Sequence, residues 1–477
     1  MRHARQAVFL LFVAIYLVAC PAVLFQAFGY SLKPGTEQGL VKTGLIYLAT
    51  NPPGATVHLG KRRYTKTTPT MLQGLLPGTY DVRITLPGYR PWIRAVTVEP
   101  EKSAAFEHIV LVSAAWKPQV RMRGPFQELL PLPGTRFVLL RRGPTLSDHW
   151  YYDWKTGEAR RLVPSTSVLA EARLLSLLTS PGSPCLLVRV GVPADEWTLW
   201  IEPSADEPKV EDLTGFVPPG ARRVLWDPLD RRHLVFLQEG SLVRLHVPSK
   251  TVSPLAQDVQ GFGLFERTIY ALDRSGALVQ VDPDGKTRRL FEGRSMADAG
   301  AMSRRRPFEI KAFTKEAVVL LGTRGELWLP QALTPAIEHG VLGVMWDSRR
   351  QRAAIWLKDR LGLLEWPEPA EAAPRLRWLF EGGQRLTQVF WVYEGSHLLV
   401  HDEDQLKLLE LPRDGAPVVQ TLFAVRPGSA VAYDDETGLL LYLDPGSSDL
   451  YAVSMLQRRD LLGFALPERP TAPRAAP

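Results

Sequence analysis

The chain has 477 residues, of which 45% are hydrophobic and 22% are charged, a balance typical of globular protein and not of disorder. Its 40 prolines and 37 glycines favour many turns and few long helices. Of the net charge of +7, residues 1–42 carry 4 basic and 1 acidic side chains and residues 43–112 carry 8 and 4. The other 365 residues carry 45 of each, and this neutral balance argues against a nucleic-acid-binding role.

The stretch from Ala7 to Tyr30 contains no charged side chain. As an α-helix rising ~1.5 Å per residue, it would extend roughly 36 Å and cross a hydrocarbon core of about 30 Å with some tilt. Arg2 and Arg5 precede it, which predicts a cytoplasmic N-terminus at residues 1–6 and an extracytoplasmic remainder. We therefore expect one span of the plasma membrane at 7–30, followed by a polar spacer at 31–42.

Two other interpretations of this stretch stay open. Leu17-Val18-Ala19-Cys20 resembles a lipobox, which would make the chain a lipoprotein anchored at Cys20, and Ala27-Phe28-Gly29 resembles a signal-peptidase site. The apolar run of a cleaved signal peptide is about 7–15 residues, and this run is longer, so an uncleaved anchor is our first interpretation. Cys185 is the only other cysteine, and because Cys20 lies in the membrane stretch, no disulfide is expected.

Residues 43–112 contain short strands separated by turns rich in proline and glycine. Pro52, Pro53 and Gly54 form a tight turn, because proline fixes φ and glycine accepts a positive φ. Residues 79–86 alternate polar and apolar side chains, which is typical of a half-buried strand. This pattern predicts a β-sandwich of five or six strands.

The turns of this region also carry a family resemblance. Its motifs are Asn51-Pro52-Pro53-Gly54-Ala55, Thr68-Pro69, Leu75-Leu76-Pro77-Gly78, Gly88-Tyr89 and Pro91-Trp92, and together they resemble the PEGA domain, named for a Pro-Glu-Gly-Ala turn. Pro53 replaces the glutamate, although proline and glycine still define the turn. The resemblance implies a small β-sandwich on the outer face of a bacterial envelope, without enzyme activity or an assigned ligand. With the apolar stretch before it, the region is similar to bacterial proteins that carry one anchor, one PEGA domain and a propeller-like remainder.

Residues 113–465 repeat a unit of two apolar strands joined by a turn bearing Asp or Gly, at intervals of about 34 to 48 residues. Six clear copies and two weaker ones begin near Leu130, Ser180, Leu225, Phe265, Phe313, Met345, Phe390 and Ala432. Such spacing is typical of propeller blades, so we predict an all-β protein with an eight- or seven-bladed β-propeller. The pattern is similar to TolB-like and WD-repeat propellers, and two stacked sheets are the alternative fold.

The ends of this region carry two further predictions. A propeller ring must close, and we expect residues 116–121 to join the last blade near residues 439–443. The tail at 466–477 is rich in proline and alanine and is predicted to be disordered.

One group of candidate binding residues is basic. Lys61, Arg62 and Arg63 are placed on a loop after the second strand of the sandwich. A solvated loop is the simpler interpretation, and contact with an anionic wall polymer is the functional one.

A second group is aromatic. Trp150, Tyr152 and Trp154 are two residues apart and share one face of a strand, where rings can stack on sugars. Packing between neighbouring blades is the interpretation we favour, because large aromatic side chains are usually buried.

No catalytic signature is present in the sequence. The nine histidines show no metal-ligand spacing, and neither a G-x-S-x-G elbow nor a P-loop occurs, so no cofactor, metal or catalytic residue is predicted. The cluster Asp402-Glu403-Asp404 is interpreted as a hairpin tip and not as a Ca²⁺ site.

The first hypothesis is a membrane-anchored, non-enzymatic binding or scaffold protein of the bacterial cell envelope. Its predicted partners are the membrane and an anionic wall polymer or another envelope protein. The alternative is an extracytoplasmic propeller hydrolase of glycans or peptides, since the carboxylate pair of a glycosidase is brought together only by folding.

Overall fold

The computed structural model describes two compact units. Among the described residues, those up to 117 together with 417–418 form one unit, and those within 118–411 and 419–455 form the other. The residues outside the description are 1–8, 18, 21–29, 33–39, 192–194, 204–207, 219–220, 222, 228–229, 266–267, 283–284, 292–307, 315–316, 331–335, 367–373, 412–416 and 456–477.

Only part of the predicted membrane stretch is described. Residues 9–17 and 19–20 are helical. Among the described residues there is no helix with the length and apolar character needed to cross a membrane. Apart from Tyr30, the rest of the predicted span lies outside the described residues, as does the predicted tail at 466–477. Tyr30, the last residue of the predicted span, begins β1 (Tyr30–Leu32), which pairs antiparallel with β2 (Leu40–Lys42) in the predicted spacer.

Seven strands after the spacer form a β-sandwich. They are β3 (Gly44–Asn51), β4 (Thr56–Leu59), β5 (Arg62–Thr67), β6 (Thr70–Leu75), β7 (Gly78–Thr85), β8 (Trp92–Val98) and β9 (Ser103–Val110). One sheet has the order β6-β3-β9 and the other has the order β5-β4-β7-β8. The prediction of five or six strands was therefore too low. It missed β5 and β6, and β5 is exposed along almost its whole length and so lacks an apolar alternation.

The core of the sandwich comes from the inward side chains of both sheets. Ile46, Val57, Val82 and Ile84 are fully buried, and Trp92 is 1% exposed. Val82 and Ile84 lie two apart along β7, as the period of an extended chain requires. The predicted sandwich is thus present.

The proline-rich turn is tied to the neighbouring loop by threonines. The hydroxyl oxygens of Thr50 and Thr68 are 2.5 Å apart. The backbone N–H of Ala55 donates to Thr68 Oγ1 at 3.0 Å, which satisfies a buried polar group. Gly54 in this turn has φ +86°, as predicted from its residue type.

The larger unit is built from strands β10 to β40. The first are β10 (Gln119–Met122), β11 (Glu128–Pro131), β12 (Phe137–Arg141), β13 (His149–Asp153), β14 (Ala159–Arg161), β15 (Arg173–Thr179), β16 (Leu186–Gly191), β17 (Glu196–Glu202) and β18 (Lys209–Asp212). They continue with β19 (Val224–Trp226), β20 (His233–Gln238), β21 (Ser241–His246), β22 (Thr251–Ala256), β23 (Val259–Phe265), β24 (Thr268–Asp273), β25 (Leu278–Val281), β26 (Thr287–Phe291), β27 (Phe308–Ala312), β28 (Val318–Gly322) and β29 (Leu327–Trp328). The last are β30 (Gly343–Asp347), β31 (Arg352–Trp356), β32 (Arg360–Glu365), β33 (Arg375–Glu381), β34 (Leu386–Val392), β35 (His397–Asp402), β36 (Gln405–Glu410), β37 (Val418–Ala424), β38 (Ala432–Asp434), β39 (Leu439–Leu443) and β40 (Leu450–Ser454). One 3₁₀ turn spans Leu146–Asp148.

These strands form consecutive antiparallel meanders. Sheets of four strands contain β11–β14, β15–β18, β19–β22, β30–β33 and β34–β37, each in chain order. One sheet of seven strands joins the meanders β23–β26 and β27–β29 through a parallel pair between β23 and β27. Each of the eight sequence copies lies in a separate meander.

Neighbouring meanders bury both faces of their strands against one another. In β12, Leu139 packs with the meander β15–β18, whereas Val138 and Leu140 pack with the meander β38–β40. Because successive side chains point to opposite faces, a strand placed between two sheets is apolar at every position. This explains why the sequence shows continuous apolar runs here and not the alternation of the sandwich.

The ring closes where the beginning and end of this unit meet. β10 pairs antiparallel with β40, so the last sheet has the order β10-β40-β39-β38. Residues 116–121 were expected to join this sheet, and β10 does so, although its direct partner is β40 and not residues 439–443. The N–H of Phe126 donates to the carbonyl oxygen of Ser448 at 3.0 Å. The unit is therefore propeller-like, with neighbouring meanders packed on one another among the described residues.

Candidate functional site

The structure divides the basic triplet of the sandwich between a tight turn and an edge strand. Lys61 lies in the turn after β4, as predicted, and Arg62 and Arg63 begin β5. The loop prediction was wrong for the two arginines, because only Gly60 and Lys61 connect these strands. All three side chains are exposed.

These basic side chains do not share one face. Arg63 lies opposite His58, which in turn lies opposite Arg83, so a basic row crosses three adjacent strands. Arg62 points elsewhere, and its guanidinium lies 5.2 Å from the centre of the Tyr64 ring. Charged side chains on an edge strand also prevent pairing with a second sheet.

The aromatic triplet packs at the contact between the first and last meanders. Tyr152 is 2% exposed and belongs to the buried cluster there, against which Trp150 and Trp154 also pack. The guanidinium of Arg142 lies 5.3 Å from the Trp150 ring centre and that of Arg161 lies 5.2 Å from it. Only the two tryptophans keep surface with which to contact a ligand.

The acidic triplet forms a turn between β35 and β36. Asp402 is 2% exposed and accepts hydrogen bonds from the backbone N–H groups of Gln384 and Arg385, both at 2.8 Å, and from Lys407 Nζ at 2.6 Å. Burial alone would raise the pKa of Asp402, but the hydrogen bond from Lys407 and those from the backbone lower it overall. Its side chain is therefore committed to holding the hairpin.

One candidate site is a cavity of about 960 Å³ beside the first strands of several meanders. Its walls come from the end of β15, from β19, from the end of β23 and from β27. Small-molecule sites usually have volumes of about 300–1,000 Å³. The cavity therefore has the size of a ligand pocket.

Strand β27 supplies two charged side chains to this cavity. Phe308, Ile310 and Ala312 are buried in the cluster with the preceding meander, whereas Glu309 and Lys311 alternate with them and are half-buried. The period of two thus separates a buried apolar face from a half-buried face that carries the two charges.

Two glycines allow β27 to lie beside β23. A Cβ atom on Gly261 would meet the carbonyl oxygen of Phe308 at 2.3 Å, and one on Gly263 would meet that of Ile310 at 2.0 Å. A side chain at either position is incompatible with the observed parallel pair, because backbone atoms cannot give way as a flexible side chain can. The glycines therefore fix where Glu309 and Lys311 stand.

Arg223, which directly precedes β19, completes a compact group of charges. Its Nη1 atom lies 3.0 Å from Glu309 Oε1, and Lys311 Nζ lies 2.6 Å from the same oxygen. The guanidinium of Arg223 also lies 5.6 Å from the centre of the Phe262 ring. One carboxylate oxygen thus serves two cations.

Enclosure changes the acid–base properties of both cations. Burial lowers the pKa of Arg223 to about 10. Burial, and secondarily the charge of Arg223, lowers the pKa of Lys311 to about 8. Both pKa values are lowered because the positively charged form of each side chain is less stable at this position than in water.

Sequence reasoning missed this group. The string Phe308-Glu309-Ile310-Lys311-Ala312 carried a local signal, since it is a charged alternation where most inner strands are apolar. Arg223 carried no such local signal, because only the folded propeller brings it close to β27.

Comparison with known proteins found one matching family model and several similar solved structures. No curated protein matches the chain. Its described fold is similar to the β-propeller domain of Myceliophteria thermophila Cps50 (Swd1), with 12% identity, a TM-score of 0.36 and coverage of 71% of this chain and 100% of that one. It is also similar to the Dos1 propeller, with 11% identity, a TM-score of 0.44 and coverage of 71% and 95%. A third similar structure is the N-terminal domain of Nup159, with 11% identity, a TM-score of 0.34 and coverage of 72% and 96%.

At such low scores these likenesses carry no inference about partners or activity. The fold assignment rests on the closed order of sheets described above. The sandwich, in contrast, is matched at the level of family, because residues 43–109 match the model of the PEGA domain.

Proposed function

We propose that this chain is a membrane-anchored binding or scaffold protein of the bacterial cell envelope, with its bulk outside the cytoplasm. The uncharged stretch at 7–30 and the basic residues before it support the anchor. The PEGA match at 43–109 supports an outer-face location, which that resemblance implies. Lipid attachment at Cys20 is the alternative means of anchoring.

The observation that carries the binding role is the propeller with its inner cavity. Rigid sheets hold the strand ends and loops in place, so side chains around the cavity can vary without loss of the core. A ring of eight blades, rather than seven, is part of this proposal, and it is supported by the eight meanders of the described strands, the last of which includes β10. A cavity of about 960 Å³ gives this ring a place to bind a ligand.

The sandwich is proposed to act as a spacer or a contact with anionic wall polymer. The basic row of Arg63, His58 and Arg83 supports this role, because paired strands present these side chains on one face. Such contacts are electrostatic and weaken with added salt.

Two measurements test the proposed function. A reporter fused after Pro477 is expected to be active only outside the cytoplasm, and activity on the cytosolic side would refute the envelope role. Gently solubilised membranes are expected to yield a partner that co-purifies with the full chain. Purified wall polymer is the second bait, and the absence of any partner with either bait would refute the binding role.

A hydrolase is the second candidate, and one observation supports it. The carboxylates of Asp227 and Glu309 both line the cavity. Asp227, however, is ion-paired with Arg244 at 2.6 Å, and Glu309 with two cations, so neither is a free acid or nucleophile. Hydrolysis of glycan or peptide substrates by the wild type, lost in Glu309→Gln, would favour this candidate over the binding role.

A further inference from the structure

We propose that the propeller cavity binds a small organic anion, whose phosphate or carboxylate group sits between Arg223 and Lys311. This inference rests on the proposed binding role of the propeller and adds the chemical class of its ligand. It follows from the balance of charge, the unused hydrogen-bond donors and the apolar walls of the cavity.

The first argument is charge. The charged side chains that line the cavity are Arg223, Arg231, Lys311, Asp227 and Glu309. Asp227 is already held by Arg244, which is not a lining residue, at 2.6 Å. The three basic side chains are therefore left with Glu309 as their only counter-charge among the described lining residues, and the cavity attracts anions.

The second argument is hydrogen bonding. The Nε and Nη1 atoms of Arg223 are buried and have no hydrogen-bond acceptor among the described residues. Nη1 is close to Glu309 Oε1, but their geometry is that of an ion pair and not of a hydrogen bond. Buried donors without acceptors are costly, and an oxyanion in this position would satisfy them.

The third argument is that Glu309 already shows the geometry of an anion complex. Its Oε1 atom lies within 3.0 Å of Arg223 Nη1 and 2.6 Å of Lys311 Nζ. A carboxylate or phosphate oxygen from a ligand can therefore reach both cations at the same time. Glu309 is then an internal competitor, which must share or yield the two cations when a ligand enters.

The fourth argument concerns the body of the ligand. The half-buried side chains of Leu178, Leu264 and Phe313 line the same cavity. A free phosphate ion would fill only a small part of about 960 Å³. An anion with an apolar body would contact both the cations and the apolar side chains of the cavity. Small-molecule sites usually combine apolar walls with a few polar groups in this way.

Calorimetric titration of the purified full chain tests this inference. Phenylphosphate is expected to bind with one site per chain, inorganic phosphate more weakly, and the neutral benzyl alcohol not at all. Phenylacetate replaces phenylphosphate in a parallel titration, and the tighter of the two identifies the anionic group. Absence of saturable binding by both anions would overturn the proposal.

Variants assign the binding to the two cations. Arg223→Met and Lys311→Met are each expected to weaken phenylphosphate binding about tenfold or more, because a charged hydrogen bond is lost. Glu309→Gln is expected to tighten it several-fold, because the competitor is removed. Lys311→Arg keeps the charge and is expected to retain most of the affinity, which separates loss of the site from failure to fold.

The matched control is an arginine of the same unit on the surface. The side chain of Arg274 is 63% exposed and is ion-paired with Asp258 at 3.2 Å. Arg274→Met is expected to leave the affinity unchanged, and an equal loss in this variant would overturn the proposal by showing non-specific attraction. If phenylphosphate binds as expected but no envelope partner is found, the proposed function fails while the anion site stands.

Discussion

The two basic groups of this protein show how position in the fold decides what a cation can do. Arg62 and Arg63 lie exposed on the edge strand β5, whereas Arg223 and Lys311 lie in the propeller cavity around one carboxylate. Exposed charges are screened by water and salt within about 8 Å at physiological ionic strength. Enclosed charges keep their interactions, and the lowered pKa of Lys311 is one result. Side chains of equal charge are therefore expected to interact differently on the exposed edge strand and in the cavity.

The largest expected effect concerns the strand pair that builds the enclosed site. Gly263→Ala places a Cβ atom 2.0 Å from the carbonyl oxygen of Ile310, so β23 and β27 must separate. We expect a loss of about 2 to 3 kcal/mol in the free energy of unfolding, as for other overpacked sites. Urea denaturation followed by tryptophan fluorescence measures it, since all 13 tryptophans except Trp92 and Trp116 lie in the larger unit.

The control for this change is Gly191→Ala at the end of β16. Among the described residues, the atoms nearest to its new Cβ atom belong to the Leu175 side chain, at an ordinary contact distance of 3.6 Å. Equal destabilisation by the two substitutions would show that the parallel pair has no special need for glycine. If Gly263→Ala loses phenylphosphate binding and Gly191→Ala keeps it, the cavity cations depend on the pairing of β23 with β27. The exposed arginines of β5 have no such requirement.

A smaller effect is expected from pH. The pKa of Lys311 is about 8 in the folded protein, against a reference value of 10.5. Between these values the unfolded chain holds one more proton than the folded chain, so this lysine makes stability rise with pH in that window. The difference in free energy of unfolding between wild type and Lys311→Met should therefore shift in favour of the wild type from about pH 8 to pH 10.5.

Denaturation midpoints of both proteins across this pH range measure the shift. Lys155→Met is the control for removing a lysine from an exposed turn of the same unit. A constant difference between wild type and Lys311→Met would contradict the enclosed position of Lys311. Phenylphosphate affinity should fall over the lower part of the same range, because the lysine loses its charge.

The smallest effect on stability is expected at the exposed group. The triple change of Lys61, Arg62 and Arg63 to Glu should alter the free energy of unfolding by no more than about 0.5 kcal/mol, as for surface sites in general. Retention on purified anionic wall polymer should nevertheless fall, and added salt should abolish the difference from wild type. Unchanged retention at low salt would remove the sandwich from the proposed polymer contact.

Local patterns predicted the architecture because each element carries its own signal. The apolar runs from Leu225 and Phe390 revealed their meanders, since strands buried on both faces need apolar side chains throughout. Outer strands such as β22 were missed, because most of their side chains are exposed. The sandwich turns followed from residues close in the chain, whereas the pairing of β10 with β40 joins residues more than 300 positions apart.

The charged group in the cavity was missed for a different reason. Arg223 and Lys311 are far apart in sequence, and nothing near Arg223 distinguishes it from a surface arginine. Their meeting depends on Gly261 and Gly263, whose missing side chains let two blades pair edge to edge. A site of this kind belongs to the assembled ring and to no single repeat.

The pairing of β10 with β40 has a consequence for biogenesis. Gly124 N–H donates to Asp449 Oδ1 at 2.6 Å across 325 residues, so the two ends of the domain are joined by its last synthesised part. Until that part is available, β10 and the face of the first meander have no partner, and partly made chains expose apolar surface. Contacts of such long sequence separation also form slowly. We therefore expect production of this domain to depend on chaperones that protect the incomplete chain. We also expect cleavage of the chain between β10 and β11 to open the ring, as loss of β40 would.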